Sequence, residues 1–228
     1  MPLSPTSRLT TLLAAIAVSA CASAPTTTAD TPVTPTVSAR LDPVYVAKAR
    51  QDSIRHPYTA ADAEFMSHMI GHHAQAIAMS RWAPTHGASP AVQRLADRII
   101  NAQQDEIATM QNWLRDRLQP IPEATPGGMK MTMNGMQHMM LMPGMLTEEQ
   151  MKQLDAARGP DFDRLFLTDM IQHHRGAVSM VKDLFGTYGA GQDETVFKFA
   201  SDVNVDQTTE IVRMEKMLAA INLGITVE

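Results

Sequence analysis

The sequence predicts an all-α protein, a four-helix bundle made of two duplicated helical hairpins, and three observations carry that prediction. The first is an ungapped repeat. Asp62, Phe65, Met66, Met69, Ile70, His72, His73, Ala76, Ile77 and Met79 return 101 residues later as Asp163, Phe166, Leu167, Met170, Ile171, His173, His174, Ala177, Val178 and Met180. Each copy is therefore one structural unit used twice. The second is a fainter match at a spacing of 104 residues, in which Ala96, Ile99, Gln103, Glu106, Ile107, Met110 and Leu114 return as Ala200, Val203, Gln207, Glu210, Ile211, Met214 and Leu218. The repeat is thus a pair of segments, and the longer spacing places a short insertion in a loop, where it is cheap. The third is apolar periodicity of helical type, without the alternation of strands. With 228 residues, 44% of them hydrophobic, the chain can bury one substantial core built from two halves.

Residues 1–20 read as a lipoprotein signal peptide. Arg8 precedes an apolar run from Leu9 to Val18 that is too short to span a bilayer and fits a secretory h-region. The run ends in Val18-Ser19-Ala20-Cys21, which resembles the lipobox of bacterial lipoproteins, with Cys21 as the lipidated residue. Cys21 is the only Cys, so an internal disulfide is excluded and stability must come from packing. Residues 21–41, rich in Ser, Thr, Pro and Ala, read as a disordered tether. The expectation is export and a lipid anchor on a bacterial membrane, at its periplasmic or extracellular face.

The remaining residues, 42–228, are expected to form a single bundle domain. Asp42-Pro43 opens a short helix to about Ser53. Thr59 is the expected N-cap of a first long helix over about 60–82, ended before Pro84. Ser89-Pro90 starts the second, because Ser caps and Pro tolerates the first helical position. It runs to about Leu118, which closes the first repeat at about 60–118. The stretch from 125 to 145, with six Gly or Pro and eight Met, reads as an irregular Met-rich connector. A short helix follows Thr147, whose Gln150 suits a capped first turn. Gly159-Pro160 begins the third long helix, about 160–185. Gly186, Gly189 and Gly191 separate it from the fourth, about 193–222, which completes the second repeat at about 160–222. Short loops inside each pair and a long crossover between pairs fit a bundle, and burial of the amphipathic faces must supply most of its stability.

The chemistry-bearing residues fall on the inward faces. At 100° per residue His73 points to the centre of the apolar face of the first helix and His72 to its flank, near Met69 and Met79. His174 and His173 repeat this beside Met170 and Met180. On the second helix Gln103 sits mid-stripe with Glu106 one turn along and Met110 beyond; Gln207, Glu210 and Met214 repeat the pattern. Buried carboxylates and imidazoles need partners in each other, in water or in a metal. A purely structural polar layer is one answer, and a lone core His favours it. Paired, duplicated His with Gln-x-x-Glu partners favour metal ligation. Imidazole with thioether suits Cu(I), and imidazole with carboxylate suits Cu(II), zinc or iron, so the 18 Met tilt the choice to copper. A diiron bundle takes Glu from two helices and Glu-x-x-His from two others. Here Gln-x-x-Glu replaces that motif, and the carboxylate supply is thin.

The expected metal ligands are accordingly His72, His73, His173, His174, Glu106, Glu210, Met69, Met79, Met110, Met170, Met180 and Met214. Gln103, Gln207, His68 and its repeat counterpart Asp169 complete the polar surroundings. In the connector Met129, Met131, Met133, Met136, His138, Met139, Met140, Met142 and Met145 offer a second, looser set for a soft monovalent ion. Their alternative is adaptable packing over one end of the bundle. Trp82 and Trp113 are expected near helix ends, and His56 and His86 on the solvated surface.

The run Phe65-Met66-x-x-Met69-Ile70-x-His72-His73-x-x-Ala76-Ile77-x-Met79, with Gln103-x-x-Glu106-Ile107-x-x-Met110-x-x-Trp113-Leu114, resembles the bacterial domain of unknown function 305 family. Phe162-Asp163-x-x-Phe166-Leu167-x-x-Met170-Ile171-x-His173-His174-x-Gly176-Ala177-Val178-x-Met180 is similar again, so the resemblance covers about 60–222. It implies a ferritin-like four-helix bundle, often exported, with relatives associated with copper binding or resistance, and no established enzyme activity.

A net charge of -5 and a pI near 5.9 give no broad basic surface, which excludes nucleic acid as a partner. The leading expectation is an exported, lipid-anchored protein that binds copper, as Cu(I), and buffers it or passes it to a metal-trafficking protein. A ferritin-like metal-dependent oxidoreductase and a metal-free structural or interaction module are the alternatives.

Overall fold

The structure is a computed structural model that describes residues 42–55, 57–133 and 136–225. Cys21, the leader, the tether and His56 lie outside the described residues. The elements in chain order are α1 (Pro43–Arg55), α2 (Ala60–Arg81), α3 (Pro90–Asp116), β1 (Met129–Met133), β2 (Met136–Met140), α4 (Glu148–Ala156), α5 (Pro160–Gly186) and α6 (Glu194–Asn222). The four long helices α2, α3, α5 and α6 make the predicted bundle.

Local chemistry sets where these helices begin. Thr59 accepts from the Asp62 backbone while Asp62 reaches back to the Thr59 N–H at 2.7 Å, which is a capping box. Ser89 caps α3 with Pro90 behind it, and Asp193 takes the Thr195 and Val196 N–H groups at the start of α6. α5 has no side-chain cap and starts at Pro160, whose fixed φ suits a first turn.

Packing is chiefly α2 on α3, α5 on α6 and α2 on α5. The apolar core falls into two clusters. One gathers Phe65 and Met69 of α2, Met110 and Leu114 of α3, Met180 and Leu184 of α5, and Phe199 and Val203 of α6. The other gathers Met79, then Leu95 and Ile99, then Phe162 and Phe166, then Met214 and Met217. Early α2 thus meets late α3, late α5 and early α6, so neighbouring helices run antiparallel and the halves are related by a pseudo-twofold. Leu95, Ile99, Leu114, Phe162 and Phe166 are fully buried, each contributing about 1.5–3 kcal/mol of transfer free energy.

The repeated aspartates lock one hairpin to the other. Asp62 accepts from the Gly191 N–H at 2.6 Å, in the loop between α5 and α6. Asp163 does the same for Ser89, in the loop between α2 and α3, at 3.1 Å. Trp113 Nε1 donates to Asp193 at 3.0 Å and Arg117 pairs with the same carboxylate, tying the end of α3 to the start of α6.

Two expectations are corrected. The connector is not irregular throughout: β1 and β2 form an antiparallel ribbon with Met129 opposite Met140, Met131 opposite His138 and Met133 opposite Met136. Apart from Thr132, its strands lack the β-branched and aromatic residues that announce a strand. His86, expected in solvent, is buried, because α4 folds back over the α2–α3 loop. Its Nε2 donates to the Asp155 carbonyl at 2.9 Å, with the Asp155 carboxylate at 3.0 Å.

After the ribbon the chain crosses the α2–α5 face rather than an end of the bundle. Gln75 accepts from the Leu146 N–H at 2.7 Å and donates to the carbonyls of Pro126 and Leu146. Gly176 makes this crossing feasible, since a Cβ there would stand 1.9 Å from the Pro143 carbonyl oxygen. Gly144, at φ 78°, makes the matching approach to α5. Gly176→Ala is therefore expected to cost about 1–3 kcal/mol by overpacking. In a thermal melt this lowers Tm, and limited proteolysis cuts first near Pro143; an unchanged Tm contradicts the docking.

Candidate metal centre

Between the two apolar clusters lies a polar layer. His72, His73, His173 and His174 have no solvent exposure, and Gln103 and Gln207 are buried beside them. His73 Nε2 meets Glu106 at 2.6 Å, and His174 Nε2 meets Glu210 at 2.8 Å, the same pair in each half. His72 Nε2 meets the Pro143 carbonyl at 3.0 Å. A carbonyl oxygen only accepts, so His72 carries its proton on Nε2 and leaves Nδ1 as a lone pair. The carboxylates of Glu106 and Glu210 accept from Nε2 of His73 and His174 in the same way. The rings of His72 and His173 touch across the bundle axis, centroids 3.8 Å apart.

None of the four Nδ1 atoms has a hydrogen-bond partner, and His173 has none on either nitrogen. Burial, followed by the neighbouring His73, presses His72 down to about 3 despite its bond to Pro143. Burial and then His72 push His173 well below the ordinary imidazole range. Both rings are neutral at pH 7. An imidazole with a partner-free Nδ1 and a carboxylate or carbonyl on the far nitrogen, as in His72, His73 and His174, has the arrangement in which His ligates metal. His173 lacks the far partner.

The predicted thioethers flank this layer on both sides. Met69, Met110 and Met180 lie in one apolar cluster and Met79, Met170 and Met214 in the other. Among the described residues no three His, Cys, Asp or Glu side chains converge closely enough to hold an ion as they stand. The predicted residues are brought together as two His–carboxylate pairs and one His–His contact, not as a closed cage.

The outlying candidates separate. Met142 and Met145 are buried in the core, while Met139 and Met140 are exposed. His68 lines a surface cavity of about 240 Å³ with Glu64, Met142, Met180 and Asp183, and burial lowers its pKa against the pull of Glu64. Asp169 is buried on α5, and burial raises its carboxyl to about 6.

The two faces of the layer differ. The connector covers α2 and α5, whereas α3 and α6 stand apart around a cavity of about 360 Å³, lined by Gln103, Glu106, Asp206, Gln207 and Glu210 among others. Burial first, then Glu106, Asp202 and Glu210, raise the pKa of Asp206. Sequence reading missed Asp206 because its counterpart in the first repeat is Ala102, and it missed Gln75 because its counterpart is Gly176.

Fold and layer together define a duplicated four-helix bundle with buried imidazoles backed by carboxylates and flanked by thioethers. The chain belongs to the DUF305 family, a domain of unknown function, whose model matches residues 62–218. Its fold is similar to that of a DUF305 protein of Streptomyces coelicolor, described as a candidate secreted protein. Identity is 29%, TM-score 0.59, covering 74% of this chain and 96% of that one. A DUF305 fragment from Deinococcus radiodurans is similar at 27% identity and TM-score 0.58, covering 72% and 98%. CopM in its Cu(II)-bound form is similar at 28% identity and TM-score 0.54, covering 69% and 95%. An uncharacterised protein of Acanthamoeba polyphaga mimivirus is 39% identical over 56 residues, which is 25% of this chain and 37% of that curated relative.

Proposed function

We propose that this protein is exported, anchored by a lipid on Cys21, and binds copper as Cu(I), buffering it or handing it to a metal-trafficking partner. The observation that carries the reading is the set of four buried Nδ1 atoms without partners. Each buried acceptor left unpaired costs about 1–3 kcal/mol, and a soft cation removes that cost at several of them at once. The donor set suits the ion: neutral imidazole and thioether are soft ligands. When bound, copper supplies a Lewis-acid centre. His73 and His174 would hold it through Nδ1, oriented by Glu106 and Glu210, with His72 and His173 as the inner pair and Met69, Met79, Met110, Met170, Met180 and Met214 as neighbouring thioethers. Likeness to CopM, which has been crystallised with Cu(II) and with Cu(I), supports copper over zinc or iron.

The Met-rich ribbon is the second donor set. Residues opposed across an antiparallel pair share a face, so the register gathers Met129, Met131, Met133, Met136, His138 and Met140 on one face. Six candidate soft donors thus share one face of the ribbon.

Titration of purified chain with Ag(I), the redox-inert stand-in for Cu(I), against a competing chelator tests this reading. A tight bundle site plus weaker ribbon binding is expected, and replacing Met131, Met133 and Met136 with Leu removes only the weaker phase. No tight phase contradicts the reading. Cys21→Ser is expected to move the protein from the membrane to the soluble fraction of cells; retention on the membrane contradicts the anchor.

A further inference from the structure

The groove between α3 and α6 holds donors of a different kind from the imidazole layer beneath it. Glu106, Asp206 and Glu210 line a cavity of about 360 Å³, and Gln103 and Gln207 line it with them. Both glutamines are buried, and Gln103 Oε1 and both amide atoms of Gln207 have no hydrogen-bond partner. Among the described residues no ion pair joins Asp206, Glu106 or Glu210 to a Lys or Arg. Lys198 is engaged with Asp202, and Arg98 lines the cavity without a salt bridge to any of the three acids. Asp206 thus meets Glu106 and Glu210 across the groove with no Lys or Arg salt-bridged to any of the three, and with unpaired amides behind them.

We infer that this groove is an oxygen-donor site for a hydrated divalent cation, bound through Asp206 with Glu106 or Glu210 and an amide oxygen of Gln103 or Gln207. The chemistry follows from the donors. Carboxylate and amide oxygens select hard divalent ions over Cu(I). No three carboxylates converge as they stand, so the ion takes one or two of these groups directly and reaches the others through waters it keeps, the habit of small hard cations. A cavity of this size has room for those waters. Because Glu106 and Glu210 also accept from His73 and His174, an ion here adjoins the imidazole layer without drawing on its Nδ1 atoms.

Mn²⁺ titration of chelator-treated full chain at pH 7, followed by loss of the free-ion EPR signal, tests the site. One Mn²⁺ per chain is expected. Asp206→Asn is expected to weaken binding at least tenfold without lowering the apo-protein's Tm, since it removes a self-repelling charge. Asp161→Asn, a surface acid at the start of α5, serves as control and leaves binding unchanged. No Mn²⁺ binding at millimolar concentration, or equal weakening in both variants, overturns the inference. Ag(I) affinity, measured on the same samples, is expected to be unaltered by Asp206→Asn. It separates failure of this site from failure of the copper site.

Discussion

Joint replacement of His73 and His174 by Ala is expected to weaken Ag(I) or Cu(I) binding at the bundle site by at least about 100-fold, more than loss of an orienting partner alone costs. Each ring is fixed by its own glutamate, so its Nδ1 is aimed before any ion arrives. Removing both rings deletes one ligand from each half. It also leaves Glu106 and Glu210 without their donors, so the variant must be compared with the wild type for folding as well as for binding. Glu106→Gln with Glu210→Gln keeps the shape of the side chains while weakening the charge-assisted bond, and an intermediate loss of affinity is expected there. Unchanged affinity and stoichiometry in the double-Ala variant contradict the assigned ligands.

Acidification is expected to destabilise the metal-free protein steeply. His72 and His173 are neutral when folded and free to protonate when unfolded, at an ordinary pKa of 6.5. Above that pH neither form is charged and the two contribute nothing. As pH falls below 6.5 only the unfolded chain takes up protons, so each ring costs up to about 1.4 kcal/mol per pH unit. For His72 the loss continues until its folded pKa near 3. Asp169 works the other way, because its carboxyl is raised to about 6 and takes up a proton in the folded state first. Two imidazoles outweigh one partly screened carboxyl, so Tm of the chelated protein is expected to fall from pH 6.5 towards pH 4. Bound Ag(I) is expected to flatten the curve, because protons and metal compete for the same nitrogens. A flat curve without metal contradicts the buried neutral layer.

The long helices were legible because their signals are local or periodic. Thr59, Ser89 and Thr147 start helices where their cap chemistry places them, and the ends of α5 and α6 fall at glycine or within a residue of the expected position. The repeat put two His and one Glu on the inward faces of each half, but the specific His73–Glu106 and His174–Glu210 pairs were not legible in it. What the sequence hid arises between elements. The ribbon is built from Met, Lys, Thr, Gln and His without a strand signature. The burial of His86 depends on α4 returning to a loop 69 residues away in sequence. The docking of Pro143 on Gly176 and the open α3–α6 face have no local mark. Duplication itself hid the asymmetric residues: Asp206 aligns with Ala102 in the repeat and Gln75, which ties down the crossing chain, aligns with Gly176, so comparison of the halves did not single them out.

The most direct measurement is nitrogen NMR of protein labelled with ¹⁵N at histidine, recorded before and after one equivalent of Ag(I). The Nδ1 resonances of bundle histidines, His73 and His174 foremost, are predicted to shift and to couple to silver, while Nε2 stays protonated. Imidazole spectra that do not change on saturation would mean that the layer only packs the core, and that the protein's metal chemistry lies elsewhere.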